Sequence, residues 1–255
     1  MNLVTSWGID IFTKHFGGFI MSSYKGHSLF ALLFAVIFFH NPLLIALTFI
    51  GANIPDLDHK FKKDNVYKLI ILGLIIFISL YILKLPYGIG LIIVFLGAVF
   101  YFSEHRSFTH SIFGILILTS AVSLILILGY ELIVSTTILN NSYMIVAILI
   151  ALLSFLFLNK KLLMIFLPVF FVSLFFINNF KITYIQIVIA LFLGLFSHIV
   201  LDSFTPAGIK IFAPLSSKRV YKNFALVSIF ALSIVAIFYN VPVLFKLFEQ
   251  YVLVH

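Results

Sequence analysis

Four short stretches hold most of the chemistry of this chain: Gly26-His27-Ser28, Pro55-Asp56-Leu57-Asp58-His59, His105-Arg106-Ser107-Phe108-Thr109-His110-Ser111, and His198-Ile199-Val200-Leu201-Asp202. Five of the eight histidines and three of the eight acidic residues fall inside them. Such crowding points to metal ligation. His198 and Asp202 are four apart, so a helix projects both from one face toward one ion or an ion pair. Asp56 and His59 are three apart and can do the same from the end of another helix. His110 opens an apolar run for which Ser107 or Thr109 is the expected N-cap, which would turn a ligand and free backbone N–H groups into the same site. His27, Asp56, Asp58, His59, His105, His110, His198 and Asp202 make eight candidate ligands, whereas a catalytic zinc takes three from the protein. Two ions, or one ion with a catalytic carboxylate and supporting partners, is the economical reading. The chain has no cysteine, so the donors are nitrogen and oxygen only. That set suits Zn, with Mn or Fe as further options.

The remaining groups of the cluster fit phosphoester cleavage, in which a metal activates water and stabilises the leaving oxygen. Asp58, if it is left uncoordinated, is the candidate general base. Arg106 carries the planar fork that grips phosphate through two hydrogen bonds. Thr109 and Ser111 are candidate substrate contacts beside it.

The elements that position these groups must be membrane helices. Of 255 residues, 63% are hydrophobic and 9% charged, with mean hydropathy +1.24 and 32 Phe. A chain so apolar takes the bilayer as most of its solvent. The net charge of +8 resides in short loops, as in membrane orientation, and nothing resembles a basic groove interleaved with stacking aromatics, so nucleic acid is not an expected partner. Residues 1–26 mix Trp7, Phe12, Phe16 and Phe19 with Asp10, Lys14 and His15, and read as an interfacial segment. Residues 27–245 read as one transmembrane helical domain and 246–255 as a C-terminal tail.

Apolar runs follow at 28–52, 66–83, 87–102, 111–129, 143–158, 162–177, 184–201 and 224–245, separated by turn signals such as Lys84-Leu85-Pro86-Tyr87-Gly88 and Asn140-Asn141-Ser142. The first run is broken at His40-Asn41-Pro42, which makes it one kinked span or two short helices. The expected fold is an all-α, polytopic helix bundle. Walking the connections brings residues 55–59, 105–110 and 198–202 to one membrane face, so the metal site should lie at the helix ends on that face. No internal repeat is visible.

Taken in order and spacing, the four stretches, with Ser203-Phe204-Thr205-Pro206-Ala207-Gly208 continuing the last, resemble the YdjM-type family of inner-membrane proteins described as membrane-bound metal-dependent hydrolases. The likeness spans about residues 26 to 215. It implies a metal-ligand role for His27 that the residues alone leave weak, and it favours a hairpin turning near Asn41-Pro42 that returns His27 to the face of Asp56. The His-x-x-x-Asp pair is more distantly similar to ligand pairs of the zinc-dependent phospholipase C and nuclease superfamily. The extra apolar spans at 143–177 depart from the pattern and leave the substrate open.

The leading expectation is therefore a metal-dependent hydrolase of a phosphoester in a lipid or lipid-linked substrate entering from the bilayer, in a multi-pass protein of the inner membrane. The alternative is a metal-ion or proton-coupled transporter using the same cluster, although transport favours midplane sites and inverted repeats. A metalloprotease is third, since His-Glu-x-x-His is absent. Lys60, Lys62, Lys63, Lys68, Arg106, Lys160, Lys161, Lys210, Lys218, Arg219 and Lys222 lie on the face of the site, against Lys84, Lys181 and Lys246 opposite. The positive-inside rule makes that face cytoplasmic.

Overall fold

The computed structural model describes residues 24–58, 63–103, 106–136, 141–176 and 182–254. His59, His105, the expected interfacial segment up to residue 23 and the terminal residue 255 lie outside them. Among the described residues, nine α-helices follow one another: α1 (Tyr24–Phe38), α2 (Pro42–Gly51), α3 (Lys63–Ile82), α4 (Gly88–Phe102), α5 (Ile112–Thr136), α6 (Ser142–Phe157), α7 (Lys160–Leu174), α8 (Tyr184–Asp202) and α9 (Lys222–Val254). Single 3-10 turns, Pro55–Asp58 and Phe108–His110, lie after α2 and before α5. Helices α3, α5, α8 and the Lys222–Val241 part of α9 are long and apolar enough to cross a membrane. The chain is an all-α polytopic bundle. Residues 246–254, expected as a tail, continue α9.

The first apolar run is a hairpin. Pro42 stands at the first position of α2, where its missing N–H costs nothing, and the Asn41 side chain accepts from the Leu43 N–H as N-cap. The arms are clasped at the other end, where Asn53 Nδ2 donates to Ser28 Oγ (3.0 Å) and to the Phe49 carbonyl (2.9 Å).

Helix α8 is the axis of the bundle, packed against α1, α2 and α5. In the most apolar 18-residue stretch of each spanning helix, 61% of residues are buried in α8 and 56% in α5, against 22% in α3 and 17% in α9. The outer helices therefore present their apolar faces to lipid. Within lipid there is little hydrophobic drive to bring helices together, so tight packing through small residues does much of the work. At Gly194 of α8 a Cβ would overlap the Thr48 carbonyl, and at Gly51 of α2 one would lie 2.8 Å from the Leu191 carbonyl oxygen. This crossing sets the C-terminal end of α2 beside His198. The Cβ-free Gly114 likewise lets the Phe108–His110 turn fold onto the first turn of α5.

Candidate metal centre

The end of α2, the start of α5, the end of α8 and the first turn of α1 meet at one end of the bundle. Their polar side chains are buried there: His27, Asp58, His110, His198 and Asp202 are each under a tenth exposed. Three donors converge. His110 Nε2 lies 3.2 Å from His198 Nε2 and 3.3 Å from Asp202 Oδ2, and His198 Nε2 lies 3.7 Å from the same Oδ2. Asp56 Oδ1, 3.7 Å from His198 Nε2, closes the figure on its partly exposed side. Bonds of about 2.0–2.1 Å to a tetrahedral zinc place donors about 3.3–3.5 Å apart, so the observed edges straddle those of a four-cornered metal site. Grouped by reach, the residues able to hold an ion are His27, His198 and Asp202, and Asp56, His110 and His198.

Both central imidazoles are oriented from behind. His198 Nδ1 is 2.6 Å from the Ala52 carbonyl oxygen, which can only accept, so this nitrogen carries the proton and Nε2 offers its lone pair. His110 Nδ1 lies 3.3 Å from Asp58 Oδ2 and 3.1 Å from Thr109 Oγ1, whose hydroxyl in turn donates to Asp58. That is the carboxylate–histidine arrangement that fixes a metal ligand and raises its basicity. Burial by itself pushes His110 down, but the hydrogen bond to Asp58 and the charges of Asp58, Asp202 and Asp56 outweigh it, so its pKa stands above the ordinary histidine value.

The structure places the remaining expected residues as follows. Asp58, expected as the general base, is buried behind His110, with Oδ2 3.3 Å from His110 Nδ1. Thr109 and Ser111, expected as substrate contacts, are fully buried with committed hydroxyls. Neither Thr109 nor Ser107 caps α5. Ser111 does, accepting from the Gly114 N–H (3.0 Å) and donating to the Phe108 carbonyl (2.7 Å).

Asp202 uses both oxygens. Oδ2 faces His110 and His198, while Oδ1 lies 3.4 Å from His27 Nε2 and 3.5 Å from Arg106 Nη2. The other arm of the Arg106 fork donates to Thr205 Oγ1 at 2.9 Å. The 203–208 turn is capped, since Thr205 Oγ1 donates to the Asp202 carbonyl. Arg106 itself has φ +58°, the left-handed region where a non-glycine residue pays about 1–2 kcal/mol. The ring of His27 stacks on that of His198, with centroids 3.9 Å apart and planes 15° apart.

Three contributors escaped the sequence reading: the Ala52 carbonyl, the Ser28–Asn53 clasp and Thr205. The clasp carried a signal, for Ser28 belongs to the first motif and Asn53 lies two residues before Pro55. The carbonyl carried none, because any residue supplies one.

Comparison with known proteins adds the family. A search of curated proteins gives no match, and a search of solved structures gives none either. The model of the YdjM inner membrane protein family matches residues 21–254, a range that takes in all four motif stretches and every donor described above. The chain belongs to the YdjM inner membrane protein family.

Proposed function

We propose that the protein is a membrane-embedded, metal-dependent hydrolase that cleaves a phosphoester in a lipid or lipid-linked substrate at the cytoplasmic leaflet. The observation that carries this reading is the convergence of His110 Nε2, His198 Nε2 and Asp202 Oδ2 at 3.2–3.7 Å, with both imidazoles held in the ligating tautomer. Three protein donors with a fourth, partly exposed corner is the composition of a catalytic zinc site. When bound, the metal would activate water and polarise the phosphoryl oxygen.

The chain's own groups supply the rest. Asp56, at the exposed corner, is placed to receive the proton of the attacking water. Asp58 and the Ala52 carbonyl keep the two imidazoles in register. Arg106, whose Nε has no hydrogen-bond partner among the described residues, offers the positive charge for a phosphate oxygen. A lipid substrate is supported by the surroundings. A furrow of about 310 Å³ lies between α4 and α5, lined from Leu116 to Leu124 and by Ile92 and Phe95. It starts about two turns beyond His110 along α5, whose composition suits the bilayer interior.

The test is turnover of a chromogenic phosphodiester by zinc-loaded protein in detergent, with His198→Ala as the blank. Metal-dependent release above that blank is expected. A loaded protein no faster than the blank, on this substrate and on phospholipid vesicles, overturns the hydrolase reading.

A further inference from the structure

The histidines around Asp202 are not equivalent. An imidazole ligates in its own ring plane, and the planes of His27 and His198 run 15° apart with ring centroids 3.9 Å apart. An ion about 2.0–2.1 Å from both nitrogens would lie well outside at least one ring plane. His27 therefore does not share the ion of His198. It can serve a second ion, whose natural bridge is Asp202 Oδ1 at 3.4 Å, or it can serve none.

The side of Oδ1 is already taken by a cation. Arg106 Nη2 is 3.5 Å from it, and the fork is anchored by Nη1 to Thr205. A second ion bonded to Oδ1 at about 2.0–2.2 Å would stand within about 6 Å of the guanidinium, inside a buried pocket where charges are poorly screened. Among the described residues only His27 and Arg106 face Oδ1, since His110 and His198 face Oδ2, Asp56 faces His198 Nε2 and Asp58 faces His110 Nδ1. The left-handed backbone at Arg106 favours glycine, and a strained non-glycine residue beside a cluster of this kind is a mark of function.

We propose that the centre takes a single metal ion, at His110, His198 and Asp202 Oδ2, and that the Arg106 guanidinium fills the second cationic position of a two-metal site. His27 then donates from Nε2 to Asp202 Oδ1 and holds that carboxylate between ion and guanidinium. The ligand is a phosphate group, gripped by the ion on one side and by Arg106 on the other. This rests on the phosphoester reading for the identity of the anion, and on geometry alone for the number of ions.

The test uses full-length protein in detergent, stripped with chelator and dialysed against excess Zn²⁺. Wild type is expected to saturate at one ion per chain, and His27→Ala at one ion as well. Two ions in wild type, falling to one in His27→Ala, would overturn the proposal. Inorganic phosphate is then titrated into the zinc-loaded protein. Arg106→Lys should bind it at least tenfold more weakly with metal content unchanged, and equal affinity would also overturn it. Absent turnover with both results intact sinks the hydrolase reading alone. Turnover with two bound ions sinks this proposal alone.

Discussion

The Nε2 atoms of His110 and His198, 88 positions apart in sequence, face each other across 3.2 Å. Each ring spends its Nδ1 proton on an acceptor behind it, Asp58 for His110 and the Ala52 carbonyl for His198. Two neutral rings held this way point lone pairs at one another, which is unfavourable unless a cation or a proton lies between them. A metal ion would resolve the conflict, with Asp202 Oδ2 available as the third donor.

The support behind His110 should be measurable. Asp58→Asn is expected to lower metal affinity 10–100-fold, the usual cost of losing such a partner, while the protein stays in the membrane. Competition with a chromogenic chelator measures it; affinity within threefold of wild type would mean that Asp58 does not orient His110.

The same pair sets a pH dependence. The pKa of His110 is raised in the metal-free fold, so its protonated form stabilises that fold fully below the unfolded value of about 6.5, and the contribution fades as pH rises through the folded pKa. Metal binding needs the neutral ring. Zinc affinity should therefore fall as pH is lowered from 8 toward 6, with protons released on binding. In Asp58→Asn the plateau of affinity should extend to lower pH. An identical pH profile in both proteins would contradict this.

Much of this arrangement was legible beforehand. Pro42 and the turn residues marked the helix ends, and the order of apolar runs placed Asp56, His110 and Asp202 on one face because each span reverses direction once. What stayed hidden depends on side-chain direction within a turn. Asp56 reads as a ligand and Asp58 as a general base, but spacing alone does not tell which imidazole each acid meets. In the 3-10 turn they diverge, Asp56 toward His198 and Asp58 toward His110 and Thr109. The Ser111 cap was missed for a similar reason: a short 3-10 turn delays the start of α5 by a few residues, so the hydroxyl nearest the apolar run, not an earlier one, meets the orphan N–H of Gly114.

The α2–α8 crossing predicts a mutation far from any ligand. Gly194→Ala forces a methyl group against the Thr48 carbonyl, an overpacking that costs about 1–3 kcal/mol and pries Ala52 away from His198. A lower thermal transition in detergent together with weaker zinc binding is expected. Unchanged zinc affinity would show that the crossing does not position the site.

Arg106→Lys keeps the charge but loses the fork. Phosphodiester turnover should drop more than tenfold with bound metal unchanged, as read by kinetics and elemental analysis of one preparation. Equal activity would leave Arg106 as a membrane-orientation signal only.

Orientation can be read separately. A single cysteine in place of Lys161, at the start of α7, should resist an impermeant thiol reagent in intact cells and react after permeabilisation, because the site face is expected to be cytoplasmic. Labelling in intact cells would put the site on the outer side.

Elemental analysis of purified protein bears most directly on the metal centre. Wild type should carry one zinc or manganese per chain, and the double variant His198→Ala/Asp202→Ala should carry none while remaining in the membrane fraction at wild-type yield. Equal metal content in the two proteins would contradict a centre built on His198 and Asp202.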